Sequence, residues 1–245
     1  MRCDASSGSI VGNEVKPTAL ILCLFLLAGF SGWAQQKYLP PPDAAKELFA
    51  SRPMPRVSLS PDRRYLLIAE GQRFRRIGDL AARVVALAGV RVNPFNNGPA
   101  APSYFVRMEI KVVATGEKFA VKLPPGARRF SLPVWSPDGR RFAFLQYNRT
   151  EVSLWVGEAA TRKVKQVANL KINASLGRSF QWLTESDSLL CLAVPKPREK
   201  APIAPRAPAG PVVQETGPKE SAVLTYPDLL QNEHDEKLFD YYLTS

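Results

Sequence analysis

One histidine, His234, and three cysteines, Cys3, Cys23 and Cys191, carry all the imidazole and thiol chemistry of the 245 residues. A serine–histidine–aspartate relay inside this chain would have to use His234. That residue stands in Asn232-Glu233-His234-Asp235-Glu236, a setting that suits a solvated or helix-capping side chain. The sequence contains no Gly-x-Ser-x-Gly elbow, no Gly-x-x-x-x-Gly-Lys-Ser/Thr phosphate loop, no Gly-x-Gly-x-x-Gly turn and no paired-cysteine metal pattern, so neither a cofactor nor a metal is expected. Cationic chemistry is abundant instead: 33 lysines and arginines against 22 acidic residues give a net charge of +11. Such an excess steers acidic peptides or anionic surfaces toward a protein. Single runs such as Arg73-Phe74-Arg75-Arg76 or Arg128-Arg129 read first as solvated basic faces. The basic residues do not interleave with aromatics as single-strand nucleic-acid binders do, and no nucleic-acid partner is expected.

The elements that must position this chemistry follow from composition and pattern. With 45% hydrophobic residues, 22% charged, 15 Gly and 22 Pro, the chain lies in the globular range, outside the collagenous, disulfide-dense and coiled-coil classes. The apolar block Thr18 to Gly32 has about 15 residues, which is short for a membrane span and right for a signal-peptide core. Lys16 precedes it, and Gly32-Trp33-Ala34 offers small residues at the positions a signal peptidase inspects. Residues 1–34 are therefore expected to be a cleaved export signal. The product would be periplasmic or extracellular, with no stable membrane span; an uncleaved anchor helix is the alternative. Cleavage leaves the net charge at +11 and leaves Cys191 without an intrachain partner.

Two unrelated landmarks recur with one period. Trp135-Ser136-Pro137-Asp138-Gly139-Arg140-Arg141, running into Phe142-Ala143-Phe144-Leu145, is echoed by Trp182-Leu183-Thr184-Glu185-Ser186-Asp187-Ser188, running into Leu189-Leu190-Cys191-Leu192. The tryptophans are 47 residues apart. The turn Ala114-Thr115-Gly116-Glu117-Lys118 recurs as Ala160-Thr161-Arg162-Lys163, with threonines 46 apart. A third copy of the first landmark, Ser58-Leu59-Ser60-Pro61-Asp62-Arg63-Arg64 before Tyr65-Leu66-Leu67-Ile68-Ala69, lies one period plus about 30 residues upstream. In Ser-Pro-Asp-Gly the proline fixes φ, the aspartate accepts backbone N–H bonds, and the glycine takes a positive φ. Short β-rich runs such as Arg141 to Gln146, Val152 to Val156 and Val164 to Ala168 follow these turns.

Antiparallel four-stranded repeats of about 46 residues are the signature of propeller blades. The expected fold is all-β, an incomplete β-propeller of about three blades with a short N-terminal helix and a helical insertion. Residues 35–56 form an extended or helical lead-in, 57–245 the partial propeller, 71–103 the insertion, and 195–218 a proline-rich loop. Within the insertion, residues 79–88 carry helical spacing, and Asn96-Asn97-Gly98-Pro99 is turn chemistry. Trp135 and Trp182 are expected to pack between neighbouring blades. A helix is expected to start at Tyr226-Pro227-Asp228 and run through His234. The apolar end Leu238 to Leu243 reads as the approach to a further strand.

Several segments together resemble one family. Tyr38-Leu39-Pro40-Pro41-Pro42, Val57 to Arg64, Gly89-Val90-Arg91-Val92-Asn93-Pro94-Phe95-Asn96-Asn97-Gly98-Pro99, Trp135 to Gly139, Gly210 to Glu215, and Thr225 to Leu230 with His234-Asp235-Glu236 are similar to the amino-terminal part of glutamyl-endopeptidase-like serine peptidases of the prolyl oligopeptidase family. Ser-Pro-Asp-Gly alone is shared with TolB-like propellers, whereas the Arg-x-Asn-Pro-x-x-Asn-Gly-Pro segment narrows the match. The resemblance implies a propeller that filters or orients peptide or protein substrates. It also implies a triad in an α/β-hydrolase domain outside this chain, and therefore no catalytic residue within it. A family preference for cleavage after glutamate would give the arginines a use, since a guanidinium binds a carboxylate through two parallel hydrogen bonds. Arg91, Asn93 and Asn97 match the insert motif and are the expected substrate-side residues, the other reading being that they fix a loop. Closing a propeller ring needs upwards of about 300 residues, so the chain is expected to be a portion of a longer peptidase, inactive alone. The alternative is a stand-alone, TolB-like periplasmic interaction module.

Overall fold

The computed structural model describes residues 39–123, 129–205 and 228–245. The expected signal peptide, residues 1–34, and most of the proline-rich stretch lie outside them. The chain divides into two compact units, residues 1–51 and 52–245. In the first, α1 (Asp43–Ala50) follows Pro42, with Asp43 in its first turn paired to Lys46 at 2.8 Å.

In the second unit the repeat becomes stacked sheets. The first sheet runs β1 (Arg56–Leu59), β2 (Tyr65–Gly71), β6 (Phe105–Val112), β7 (Lys118–Ala120), all antiparallel. The second runs β8 (Val134–Trp135), β9 (Arg141–Tyr147), β10 (Val152–Glu158), β11 (Val164–Gln166) in the same up-and-down order. A third begins as the pair β12 (Phe180–Trp182) and β13 (Leu189–Cys191). This is a mostly β, open arrangement of propeller blades.

Successive side chains on a strand point to opposite faces, and this explains the apolar run in β9. Phe142 and Phe144 enter one core with Leu67, Ala69, Met108 and Ile110 of the first sheet. Ala143 and Leu145 enter the other with Phe180 and Trp182 of the third. The second sheet is thus covered on both faces. Gly157 is required at its place in β10, because a Cβ there would run into the Phe142 ring.

Both tryptophans sit between sheets as expected. Trp135 Nε1 donates to the Ser58 carbonyl at 3.3 Å, and Trp182 Nε1 to the Val134 carbonyl at 3.1 Å. The turn chemistry also holds. Ser136 Oγ donates to Asp138 Oδ1 at 2.6 Å, and the same oxygen accepts the Arg140 N–H at 3.1 Å. The left-handed position is taken by Gly139 (φ 71°), and in the flanking copies by Arg63 (60°) and Ser186 (65°). Successive turns touch: Ser186 Oγ accepts the Asp138 N–H at 3.0 Å.

Two expectations are corrected. Residues 81–88 are not helical. The helix α2 covers only Ile77–Leu80, and the insertion continues as a three-stranded sheet of β3 (Val85–Leu87), β4 (Val90–Asn93) and β5 (Gly98–Pro99). The reversal at Ala88 (φ 49°) and Gly89 (φ 81°) folds Val85 back against Val92, and Leu87 and Val92 become core. The apolar C-terminal stretch is not the approach to a strand but the helix α3 (Glu233–Leu243), capped by Asn232; residues 228–232 are not helical, and Tyr226 and Pro227 lie outside the described residues. Asn232 Oδ1 accepts the Asp235 N–H at 3.0 Å, an N-cap that fixes the start. Leu238, Phe239, Tyr241 and Tyr242 then recur at helical spacing and pack with Leu87 and Val92 of the insertion.

Candidate functional site: a basic cleft beside the insertion

The insertion is fastened to the second sheet at the β9–β10 turn. Asn96 Nδ2 donates to the Asn148 carbonyl at 2.7 Å, while Asn96 Oδ1 accepts the Gly98 N–H at 2.9 Å. Between insertion and turn lies a cleft of about 750 Å³, lined by Arg76, Arg83, Asn93, Phe95, Arg129 and Arg149, with Asp79, Tyr147 and Asn148 among its other walls.

Its electrostatics are lopsided. Asp79 is already committed, with Arg129 Nη2 at 2.5 Å and the Tyr104 hydroxyl donating to it at 2.8 Å. Burial, and then the bond to Asp79, push the Tyr104 phenol above its ordinary range, so it remains a donor. Arg76, Arg83 and Arg149 make no ion pair or side-chain hydrogen bond among the described residues. The cleft therefore carries net positive charge with guanidinium donors to spare. Such an arrangement can hold carboxylates; among its lining residues it has no Ser, Cys or His that could act as a nucleophile or base.

The three residues singled out by the insert motif are placed differently from one another. Asn93 is on the cleft wall, its Oδ1 accepting the Phe95 N–H at 3.0 Å. Arg91 points its Nε at Asp228 Oδ2, 3.3 Å away, on a largely exposed side chain. Asn97 is buried, with φ at 57°. Its Nδ2 donates to Asn173 Oδ1 at 2.6 Å and to the Tyr242 carbonyl at 2.9 Å, and its Oδ1 accepts from Arg198 Nη1 at 2.9 Å. Asn173 Nδ2 in turn donates to the Tyr242 and Thr244 carbonyls at 3.0 and 2.9 Å, and Arg198 lies over the Tyr241 ring, 3.7 Å from its centroid. The motif thus ties insertion, the start of the third sheet and the C-terminal helix together through Asn97, while Asn93 and Asn96 line the cleft.

Sequence reasoning missed Arg76, Arg83 and Arg149. Arg76 belonged to a run read as a solvated face, and Arg149 lies outside the insertion altogether. The usable signal was the position of Arg149 in the β9–β10 turn, which only the fold brings to the insertion.

No family model matches the chain. Among curated proteins it is 30% identical over 227 residues to "Probable glutamyl endopeptidase, chloroplastic" of Oryza sativa subsp. japonica, covering 86% of this chain and 24% of that protein. It is likewise 30% identical over 221 residues to the protein of the same name from Arabidopsis thaliana, covering 84% of this chain and 23% of that one. The chain thus spans about a quarter of the length of these relatives. Among solved structures, Pyrococcus horikoshii acylaminoacyl peptidase superposes with a TM-score of 0.34 at 17% identity, over 66% of this chain and 22% of that one. TolB from Acinetobacter baumannii superposes with a TM-score of 0.22 at 18% identity, over 53% and 35%. The sequence relationship and the stacked blades together identify the chain as a peptidase-family propeller region, related over about a quarter of their length to the proteins named glutamyl endopeptidase.

Proposed function

We propose that this propeller region is non-catalytic and orients peptide substrates for an α/β-hydrolase domain outside the chain, by holding their acidic side chains in the basic cleft. The observation that carries the reading is the set of three arginines, Arg76, Arg83 and Arg149, facing one cleft without carboxylate partners among the described residues. Guanidinium groups in a partly enclosed cleft bind carboxylates through paired, charge-assisted hydrogen bonds. Asn93 would touch the substrate directly, while Arg91 and Asn97 would act by holding the insertion in shape. The relatives named for cleavage at glutamyl residues fit the same direction.

Export by residues 1–34, with a periplasmic or extracellular destination, belongs to the same proposal. Among the described residues no helix is long and apolar enough to cross a membrane. Mass spectrometry of the full chain incubated with acetylated glutamyl peptides tests the non-catalytic role. The peptides are expected to be retained and uncut; cleavage after glutamate, with contaminating protease excluded, would overturn it. Fusing residues 1–34 to a phosphatase that is active only outside the cytoplasm tests export, which an inactive fusion would contradict.

A further inference from the structure

A second cavity, about 500 Å³, opens between β8–β9 and β12. Its walls are largely apolar: Leu132, Val134, Trp135, Leu145, Phe180 and Trp182 contribute. Both indole N–H groups are committed elsewhere, to the Ser58 and Val134 carbonyls, so the two rings are fixed and offer no free donor. Leu132 and Val134 remain 44% and 48% exposed, apolar surface that none of the described residues covers fully.

One polar atom in this cavity is out of balance. Ser179, 3% exposed, lines it, and its Oγ has no hydrogen-bond partner among the described residues. The neighbouring Ser131 hydroxyl, by contrast, accepts the Leu145 N–H at 2.9 Å and donates to the Leu132 carbonyl at 3.2 Å. A buried hydroxyl without a partner is costly, and native structures seldom keep one without a use. Tyr147 lines this cavity and the basic cleft alike, so the two adjoin across one side chain.

We propose that this cavity is a second peptide subsite, which takes the bulky apolar or aromatic side chain next to the acidic residue held in the cleft. Ser179 Oγ meets a backbone carbonyl or N–H of the same peptide. The pairing rests on the carboxylate reading of the cleft; the occupant follows from apolar walls, one unmatched hydroxyl and an adjoining cationic site. A substrate with an acidic residue beside a large apolar one satisfies all three.

The test is competition fluorescence anisotropy on the full chain with acetylated, amidated tetrapeptides: Ala-Glu-Phe-Ala, Ala-Phe-Glu-Ala, Ala-Glu-Ala-Ala and Ala-Gln-Phe-Ala. The better phenylalanine peptide is expected to bind about tenfold more tightly than Ala-Glu-Ala-Ala, the scale set by burying one aromatic side chain. Ser179→Ala should reduce that ratio about threefold. Leu132→Asp, at an exposed position, should bring it near one while leaving Ala-Glu-Ala-Ala binding unchanged, with circular dichroism confirming the fold. Equal binding of phenylalanine and alanine peptides to the wild type, or a ratio that neither substitution moves, would overturn the subsite. Equal binding of Ala-Glu-Phe-Ala and Ala-Gln-Phe-Ala would overturn the cleft reading, and the pairing with it, while a surviving phenylalanine preference supports the apolar pocket itself.

Discussion

Asn97 Nδ2 donates to Asn173 Oδ1 at 2.6 Å, joining the insertion to the start of the third sheet across 76 residues of sequence. Both side chains are buried, and the Ala174 N–H donates to the Asn97 carbonyl at 3.0 Å beside them. Replacing Asn97 by alanine would take one hydrogen bond each from Arg198, Asn173 and the Tyr242 carbonyl, which keep their other partners, and would also force alanine to a left-handed φ. A loss of about 3 kcal/mol is expected. Urea denaturation measures it, and Asn97→Gly, which relieves the backbone but not the lost bonds, should recover only part.

Gly157 faces the Phe142 ring across the β9–β10 pair. Gly157→Ala should cost about 1–3 kcal/mol by overpacking, read as a lowered melting temperature. Phe142→Leu in the same chain should return part of the loss; additive losses would contradict the contact.

Trp182 reports the seam between the second and third sheets. Trp182→Phe keeps most of the apolar contact but removes the indole N–H bond to the Val134 carbonyl, so a loss of about 1 kcal/mol is expected, against about 3–5 kcal/mol for Trp182→Ala. Equal losses for the two would mean that packing of the ring adds little beside the indole N–H bond.

The turn at Ser136–Gly139 makes stability depend on pH. The Ser136 hydroxyl, then the Arg140 N–H and the nearby arginines, hold the Asp138 carboxyl below its ordinary range. A depressed folded-state pKa stabilises the fold at pH above the unfolded carboxylate value, about 4, and that contribution is lost as pH falls through the folded value. Asp138→Asn should therefore be less stable than wild type near neutrality, and the gap should narrow below about pH 4. A gap independent of pH would contradict the assignment.

How far the sequence could be read depended on whether a feature was local. The Ser-Pro-Asp-Gly turns and the tryptophan spacing are set within a few residues and repeat with the blades, so both sheets and both inter-sheet tryptophans were legible. Residues 79–88 misled because Val84, Val85 and Leu87 mimic a helical stripe, while pairing of Val85 with Val92 through the Ala88–Gly89 reversal decides the outcome. Leu238 to Leu243 misled for the opposite reason: the aromatic run looks strand-like until the Asn232 cap and the apolar face of the insertion claim it for a helix. The cleft was invisible because Arg76 and Arg149 are 73 residues apart and meet only when the insertion folds over the β9–β10 turn.

Recognition of carboxylates by the cleft is tested most directly by titrating the full chain with two acetylated peptides that differ only in glutamate against glutamine, for the wild type and for Arg76→Gln/Arg149→Gln. Tighter binding of the glutamate peptide by at least about tenfold is expected for the wild type, weakening with added salt and lost in the double substitution. Equal affinity for the two peptides, or a glutamate preference that survives removal of both arginines, would contradict it.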